Sequence, residues 1–293
     1  MNNKDRLLKC FCYCFAIFLA ATALFPFIYI LFISLSDSAS IAAGDLLSAN
    51  NKISLSSYIG LFRYGSLGKS FVNSLMLSVG GVCLNMLFTI PCAYALSRPE
   101  TRGKKWIYRI LIVAMFFRGE IIPTYVWISN LDLVGSYFAV WLSKLVSIYN
   151  ILILAKYFET LPQDVLNAAK LDGAGPVQLM LKFAIPMSKH ILSGIGIIYF
   201  ATWWNDYYYT MIYIRDPEKL TLPVRIIQMI ANIEDSSVYS AQDLVYAKLS
   251  AYGIRAAGIV LSVLPMLLLV LIAQRKNSLG ETLNKNVERR AKK

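Results

Sequence analysis

Long apolar runs without a charged residue constrain this chain more than any other feature. Residues 11–35 contain no Asp, Glu, Lys or Arg, and neither do residues 70–97. A helix needs about 20 apolar residues to cross the hydrocarbon core of a bilayer, so each run is long enough to span it. Composition agrees, because 57% of the residues are hydrophobic and only 16% are charged, which also excludes intrinsic disorder and a secreted disulfide scaffold. The sequence predicts a polytopic membrane protein.

Four further apolar segments bring the predicted number of membrane-spanning helices to six, in an all-α membrane fold. The beginning of the first segment resembles a signal peptide, but its apolar run continues past the small residues at 21–23, which favours an uncleaved span. The six predicted spans are residues 11–35, a stretch within 70–97, and residues 107–128, 137–157, 191–214 and 256–274.

The distribution of basic residues predicts the orientation. With a cytoplasmic N-terminus, seventeen Lys and Arg fall in the inner segments and eight in the outer ones, as expected where cytoplasmic loops collect positive charge. The formal net charge of +12 therefore needs no nucleic-acid partner. The predicted organisation is a cytoplasmic N-terminus at 1–10, the first span and an external loop at 11–69, a five-span core at 70–275 containing a polar loop at 159–190, and a basic cytoplasmic tail at 276–293.

The polar loop between the fourth and fifth spans is too patterned for a slack linker. We expect Thr160 to cap a short helix with Pro162 in its first turn, Gly173 to stop that helix in a left-handed conformation, and Pro176 to open a second helix. Such a helix suits either a groove on another protein or the headgroup layer of the membrane. Its predicted apolar face consists of Val165, Leu166, Ala168 and Ala169.

The residues of this loop favour the first alternative. Asn167-Ala168-Ala169, then Asp172-Gly173-Ala174 and finally Ile185-Pro186 stand at the spacing of a long loop signature. The chain thereby resembles the permease subunits of binding-protein-dependent ATP-binding-cassette (ABC) importers, with Asn167 in place of that signature's acidic residue. The resemblance implies a type I ABC importer permease fold whose cytoplasmic coupling helix docks on an ATPase. The implied coupling residues are Asp164, Asn167, Ala168, Ala169, Asp172, Gly173, Ala174 and Pro186.

Other motifs are similar to the carbohydrate branch of these importers, including the maltose-type and complex-polysaccharide-type permeases. They are Asn73-Ser74, the segment 93–98, Trp204-Asn205-Asp206, Thr221-Leu222-Pro223, Pro265 and Gln274-Arg275. The tail after residue 278 departs from the maltose-type pattern, since it is charged and lacks a Gly-rich ending.

The resemblance implies a transport subunit of a bacterial inner membrane with both termini in the cytoplasm. Its implied partners are a second permease subunit in a heterodimer, two ATPase subunits that bind the ATP, an external solute-binding protein, a sugar or oligosaccharide, and membrane lipid. No cofactor, catalytic residue or metal site is expected in the chain itself, because its single His and five Cys lack zinc or catalytic spacing. The alternatives are an ABC permease for amino acids, peptides or glycerol phosphate, and an ion-coupled secondary transporter.

Charged and aromatic residues inside the predicted spans are the candidates for the translocation path, since intramembrane ionisable groups are costly. Lys144 is a candidate ion-pair partner for Glu120 on the preceding span, and such a pair would either fix helix register or line the path. The aromatic run around residue 206 suits either sugar stacking or an interfacial aromatic belt. The candidates are Arg118, Glu120, Lys144, Trp204, Asn205, Asp206 and Tyr208.

Overall fold

The computed structural model describes residues 3–37, 53–64, 67–117, 121–234 and 253–271. Regular structure in these ranges is helical, and the one β contact is an isolated bridge between Ser36 and Ile53, so the all-α prediction is confirmed for this part of the chain. The helices are α1 (Asn3–Leu35), α2 (Ser56–Tyr64), α3 (Leu67–Ser97), α4 (Lys104–Phe116), α5 (Ile121–Asn130), α6 (Tyr137–Ser143), α7 (Ile148–Glu159), α8 (Gln163–Leu171), α9 (Pro176–Met187, with a π-helical segment at Met180–Ala184), α10 (Lys189–Trp204), α11 (Tyr208–Tyr213), α12 (Leu222–Glu234) and α13 (Gly253–Leu271).

Three of these helices are by themselves long and apolar enough to cross a bilayer: α1 over Phe11–Leu35, α3 and α13. Three bent pairs meet the same test only together, namely α4 with α5, α6 with α7 at 61°, and α9 with α10 at 85°. Counting each bent pair as one span gives up to six spans. The predicted third and fourth spans are therefore not continuous helices.

The predicted fifth span, residues 191–214, is also interrupted. α10 ends at Trp204 and α11 begins at Tyr208. Between them, one carboxylate oxygen of Asp206 accepts hydrogen bonds from the backbone N–H and the hydroxyl of Thr210, both at 3.1 Å. A carboxylate at this position satisfies an N–H in the first turn of α11, which favours a new helix start over a continuous helix.

The chain consists of two compact units, Met1–Gly68 with Arg225–Pro265 and Lys69–Val224 with Met266–Lys293. In the first unit the hydroxyl of Tyr58 on α2 donates to Ser34 Oγ on α1 at 2.9 Å. Gly258 on α13 lies so close to Ile226 on α12 that an added Cβ would come within 2.7 Å of it.

Among the described residues of the second unit, buried apolar side chains form two clusters. One joins the end of α3 to α7, α8, α9 and α10, and the other surrounds Trp203. Gly80 and Gly81 of α3 form a notch for two indole rings: a Cβ on Gly80 would lie 2.5 Å from Trp141, and one on Gly81 would lie 2.4 Å from Trp203. The notch brings α6 and α10 against the α3 backbone, the type of close approach that small residues permit between membrane helices.

Replacing Gly81 by Ala should lower the free energy of unfolding by about 1–3 kcal/mol, because the methyl group overlaps the Trp203 indole in a packed core. Gly68→Ala on the same helix is the matched control, since a Cβ there meets nothing within 4 Å. Thermal unfolding of the two purified variants in detergent measures the difference. Equal melting temperatures of the two variants would contradict the close packing of Trp203 against Gly81.

Candidate functional site

The short helix of the polar loop is α8, and its C-terminal stop is the one predicted. Gly173 has a φ of 85°, and the N–H of Ala174 donates to the carbonyl of Ala169 at 3.0 Å. The predicted start is wrong. α8 begins at Gln163 after Pro162, while the hydroxyl of Thr160 donates to the Tyr157 carbonyl at 2.7 Å. Thr160 is therefore the residue that ends α7, and Pro162 occupies the position directly before α8.

The predicted apolar face of α8 is divided between two sides of the helix. Leu166 and Ala169 are 2% and 7% exposed and pack into the cluster shared with α3 and α7. Val165 is 42% exposed and Ala168 is also exposed, so these two side chains are outside that cluster. We call the exposed side the loop face; it consists of Asp164, Val165, Asn167, Ala168, Leu171, Asp172 and Gly173.

The predicted coupling residues thus fall into two groups. The side chain of Leu171, which the sequence did not single out, is the most exposed apolar group of the helix at 90%. Ala169 is buried and Ala174 is half-buried, so neither belongs to the loop face. Pro186 is exposed but lies on α9. The remaining five predicted residues, Asp164, Asn167, Ala168, Asp172 and Gly173, form most of the loop face.

An ion pair connects α8 to the segment between α3 and α4. Lys170 Nζ lies 2.7 Å from Glu100 Oε1. The hydrogen bond from Lys170 holds the pKa of the Glu100 carboxyl below its usual value. The Lys170–Glu100 ion pair is therefore formed at neutral pH, and it is lost as the pH falls through the lowered pKa of Glu100.

A second polar site lies at the break between α6 and α7. The ammonium of Lys144 forms an ion pair with Asp206 and stands 4.6 Å from the centre of the Tyr209 ring. Among the residues that the structure describes, Asp206 is the carboxylate partner of Lys144, whereas the sequence predicted Glu120 for that role. Glu120 and Arg118 lie outside the described residues.

Asn85 completes this site, and sequence reasoning missed it. Its Nδ2 donates to the backbone carbonyls of Lys144 at 2.8 Å and Leu145 at 2.7 Å, and its Oδ1 accepts from Trp203 Nε1 at 2.5 Å. The signal was present in the sequence, since an Asn in a charge-free apolar span has a polar partner inside the protein far more readily than in lipid. We call Asn85, Lys144, Trp203, Asp206 and Thr210 the intramembrane network.

The residues of the aromatic run do not share one environment. Trp204 is 1% exposed and packs on Phe71 and Phe200 at ring distances of 5.5 and 5.8 Å. Asn205 is exposed, and Tyr208 is 41% exposed. This segment alternates between buried and exposed residues. It is therefore neither a continuous interfacial belt nor a continuous lining of the translocation path.

Two sequence motifs that are far apart in the chain contact each other. Asn73 Nδ2 donates to the carbonyls of Glu218 at 2.9 Å and Leu220 at 3.1 Å. The N–H of Leu222 donates to Ser74 Oγ at 2.8 Å. The Asn73-Ser74 motif therefore fixes the segment from which α12 starts.

Bacterial transport permeases are similar to this chain over most of its length, although no protein-family model matches it. The polygalacturonan/rhamnogalacturonan transport system permease protein YtcP of Bacillus subtilis is 27% identical over 227 residues, 78% of this chain and 79% of that protein. The diacetylchitobiose uptake system permease protein NgcG of Streptomyces coelicolor is 25% identical over 278 residues, 94% of this chain and 87% of that protein.

Solved structures of ABC transporters are also similar to this chain. A chain of the crystal structure of a bacterial ABC transporter involved in the import of the acidic polysaccharide alginate matches with a TM-score of 0.82 and 28% identity, over 94% of this chain and 98% of that chain. Homologues of this chain include carbohydrate ABC transporter permeases. The resemblance predicted from the loop signature is thereby confirmed.

A second structure supports the permease fold alone. The bacterial alginate ABC transporter in complex with an alginate pentasaccharide-bound periplasmic protein matches with a TM-score of 0.62 and 13% identity, over 92% of this chain and 93% of that chain. Together with the apolar helices, the permease homologues indicate a multi-pass inner-membrane protein.

Breaking the Lys144–Asp206 pair should destabilise the fold, because either single substitution leaves a charge without its partner in a span. For Lys144→Gln and Asp206→Asn we expect a coupling energy of about 0.5–3 kcal/mol in a double-mutant cycle of thermal unfolding. The control is the cycle on Lys69 and Glu218, whose side chains are 56% and 68% exposed and whose coupling should be near zero. Equal coupling in both cycles would contradict a structural role for the network.

Proposed function

We propose that this chain is the membrane permease subunit of an ATP-driven importer that translocates a sugar or oligosaccharide. The observation that carries the proposal is the 0.82 TM-score match, at 28% identity over 94% of this chain, to a transporter involved in alginate import. The carbohydrate permeases among its relatives support the same substrate class. The sugar is delivered by an external solute-binding protein, and transport proceeds by alternating access.

The proposed membrane arrangement has six spans and two cytoplasmic termini. Three apolar helices and three bent pairs support the number of spans. The excess of Lys and Arg in the inner segments supports the orientation. In this arrangement α8 lies on the cytoplasmic side, between the α6–α7 pair and the α9–α10 pair.

The proposed role of α8 is that of the coupling helix. Its loop face, with Leu171 90% exposed, offers an apolar knob to a cleft on an ATPase subunit. Its inner face is fixed by Leu166 and Ala169 in the same cluster as α3, α7 and α10. Because a packed core transmits displacement with little compression, movement of the docked loop would displace these helices together.

ATP in this proposal is bound and hydrolysed by two partner ATPase subunits, and a second permease completes the pathway. The chain itself supplies no cofactor and performs no catalysis. Asn167, where the family signature has an acidic residue, gives the ATPase a neutral hydrogen-bonding group and not a charge-assisted one.

The candidate path residues divide by exposure. Asn205 and Tyr208 are exposed and are available to read hydroxyl groups and stack on a sugar ring. Trp204 and Asp206 are buried at 1% and 4%, so we assign them a positioning role. Lys144, with a side chain 25% exposed and bound to Asp206, holds the break between α6 and α7.

The test of this function is uptake by the assembled transporter in proteoliposomes. Sugar should enter with its binding protein present on the receiving side and ATP present on the ATPase side, and a proton or sodium gradient should not replace ATP. Gradient-driven uptake without ATP would instead identify a secondary transporter.

Gly173→Val should uncouple ATP hydrolysis from uptake in the same assay, because a β-branched residue is strained at a φ of 85°. Gly175→Ala is the matched control, with a φ of −71° and open space around an added Cβ. We expect the control to transport sugar at the unsubstituted rate, and normal uptake by Gly173→Val would count against the coupling role.

Leu171→Ser should weaken association with the ATPase by roughly tenfold, since burying an exposed Leu side chain contributes about 1.5–3 kcal/mol. Co-purification of the ATPase with the tagged permease measures this loss. Leu131→Ser is the control, because Leu131 is also exposed (47%) but follows α5 at the predicted outer surface. Equal ATPase recovery from both variants would exclude Leu171 from the contact.

A further inference from the structure

Exposed cationic side chains lie near the start of α4, and exposed apolar side chains follow on the same side of the helix. None of the residues of α4 is buried. Lys105 and Arg109 are exposed, Trp106 is 67% exposed, and the guanidinium of Arg109 lies 5.0 Å from the centre of the Trp106 ring. One helical turn further along the same side, Val113 and Phe116 are 56% and 75% exposed.

Lys104, on the other side of α4, differs from Lys105 and Arg109 because it is paired within the protein. Its Nζ lies 2.6 Å from Glu159 Oε1 on α7, so the inward-facing cation at the start of α4 is neutralised within the protein. Lys105 and Arg109 form no ion pair with any carboxylate among the residues that the structure describes. α4 itself contains no Asp or Glu.

The order of these groups along the helix matches the layers of a lipid leaflet. Cations and a tryptophan occupy one end of α4, at the level where headgroups and aromatic anchors meet. Exposed aliphatic and aromatic side chains follow toward the other end, at the level of acyl chains. We call Lys105, Trp106, Arg109, Ile112, Val113 and Phe116 the α4 outer face.

We propose that the α4 outer face binds an anionic phospholipid. Its phosphodiester would lie between the Lys105 ammonium and the Arg109 guanidinium, with the Trp106 indole holding Arg109 in place through a cation–π contact. One acyl chain would run along Val113 and Phe116. Basic sites between or beside membrane helices at the headgroup level bind anionic lipids by this combination of charge and apolar contact.

A second permease subunit fits this face less well. A second permease obeys the positive-inside rule, so its segment at the same depth is expected to be cationic and to repel Lys105 and Arg109. The proposal is independent of the transported solute and of the ATPase contact.

The experiment is native mass spectrometry of the full-length chain in detergent, with added phosphatidylglycerol or phosphatidylcholine of identical acyl chains. The unsubstituted protein should retain phosphatidylglycerol in preference to phosphatidylcholine. Lys105→Gln combined with Arg109→Gln should weaken phosphatidylglycerol retention roughly tenfold or more, since each interfacial cation contributes several-fold. Lys189→Gln is the control, because Lys189 is an exposed lysine at the start of α10 and does not belong to the α4 outer face.

Lys105→Arg combined with Arg109→Lys keeps both charges and should retain the lipid, which keeps the proposal testable if the neutral variant fails to fold. Equal retention of the two lipids by the unsubstituted protein would overturn the proposal. So would full phosphatidylglycerol retention by a folded neutral variant. Loss of association with a second permease, with lipid retention unchanged, would assign this face to a protein interface instead.

Discussion

Backbone groups freed by a broken helix have no water to bind inside a bilayer, and this constraint organises the second unit of the chain. Three bent helix pairs and the interruption before α11 create such groups. Asn85 satisfies two carbonyls at the break between α6 and α7, and Asp206 satisfies an N–H at the start of α11. Because unsatisfied groups cost several kcal/mol each in hydrocarbon, Asn85 and Asp206 stabilise the two breaks that they reach.

The same side chains also connect the helices to one another. Asp206 neutralises Lys144, and Asn85 accepts the indole N–H of Trp203, whose ring lies against the notch at Gly81. The hydrophobic effect does not drive helices together inside lipid, so their association depends on close packing and on internal hydrogen bonds. The inner face of α8 belongs to the apolar cluster that includes α3, α7 and α10, and the loop is therefore attached to the helices whose breaks the network stabilises.

The sequence correctly predicted the polar loop and the end of its helix at Gly173, but it predicted the wrong start for that helix. Gly173 was predictable because few residues other than Gly adopt a positive φ without strain. The role of Thr160 was not, because a Thr after an apolar helix suits the end of that helix as well as the start of the next one. The intramembrane network was largely hidden as well. Pairing Lys144 with Asp206 depends on where α10 ends, and hydropathy does not report a break within an apolar run.

The sequence by itself determined that this chain is a helical membrane protein with a polar loop resembling that of the carbohydrate permeases. Hydropathy, charge placement and a rigid motif are local properties and are readable without coordinates. Only the tertiary structure decided which spans are bent, which side of α8 is exposed, and which polar groups meet at Asn85. The partners of Asn85 are 59 to 118 residues away in the chain, and a partner that distant is selected by packing and by the need to satisfy every buried polar group, not by neighbouring sequence.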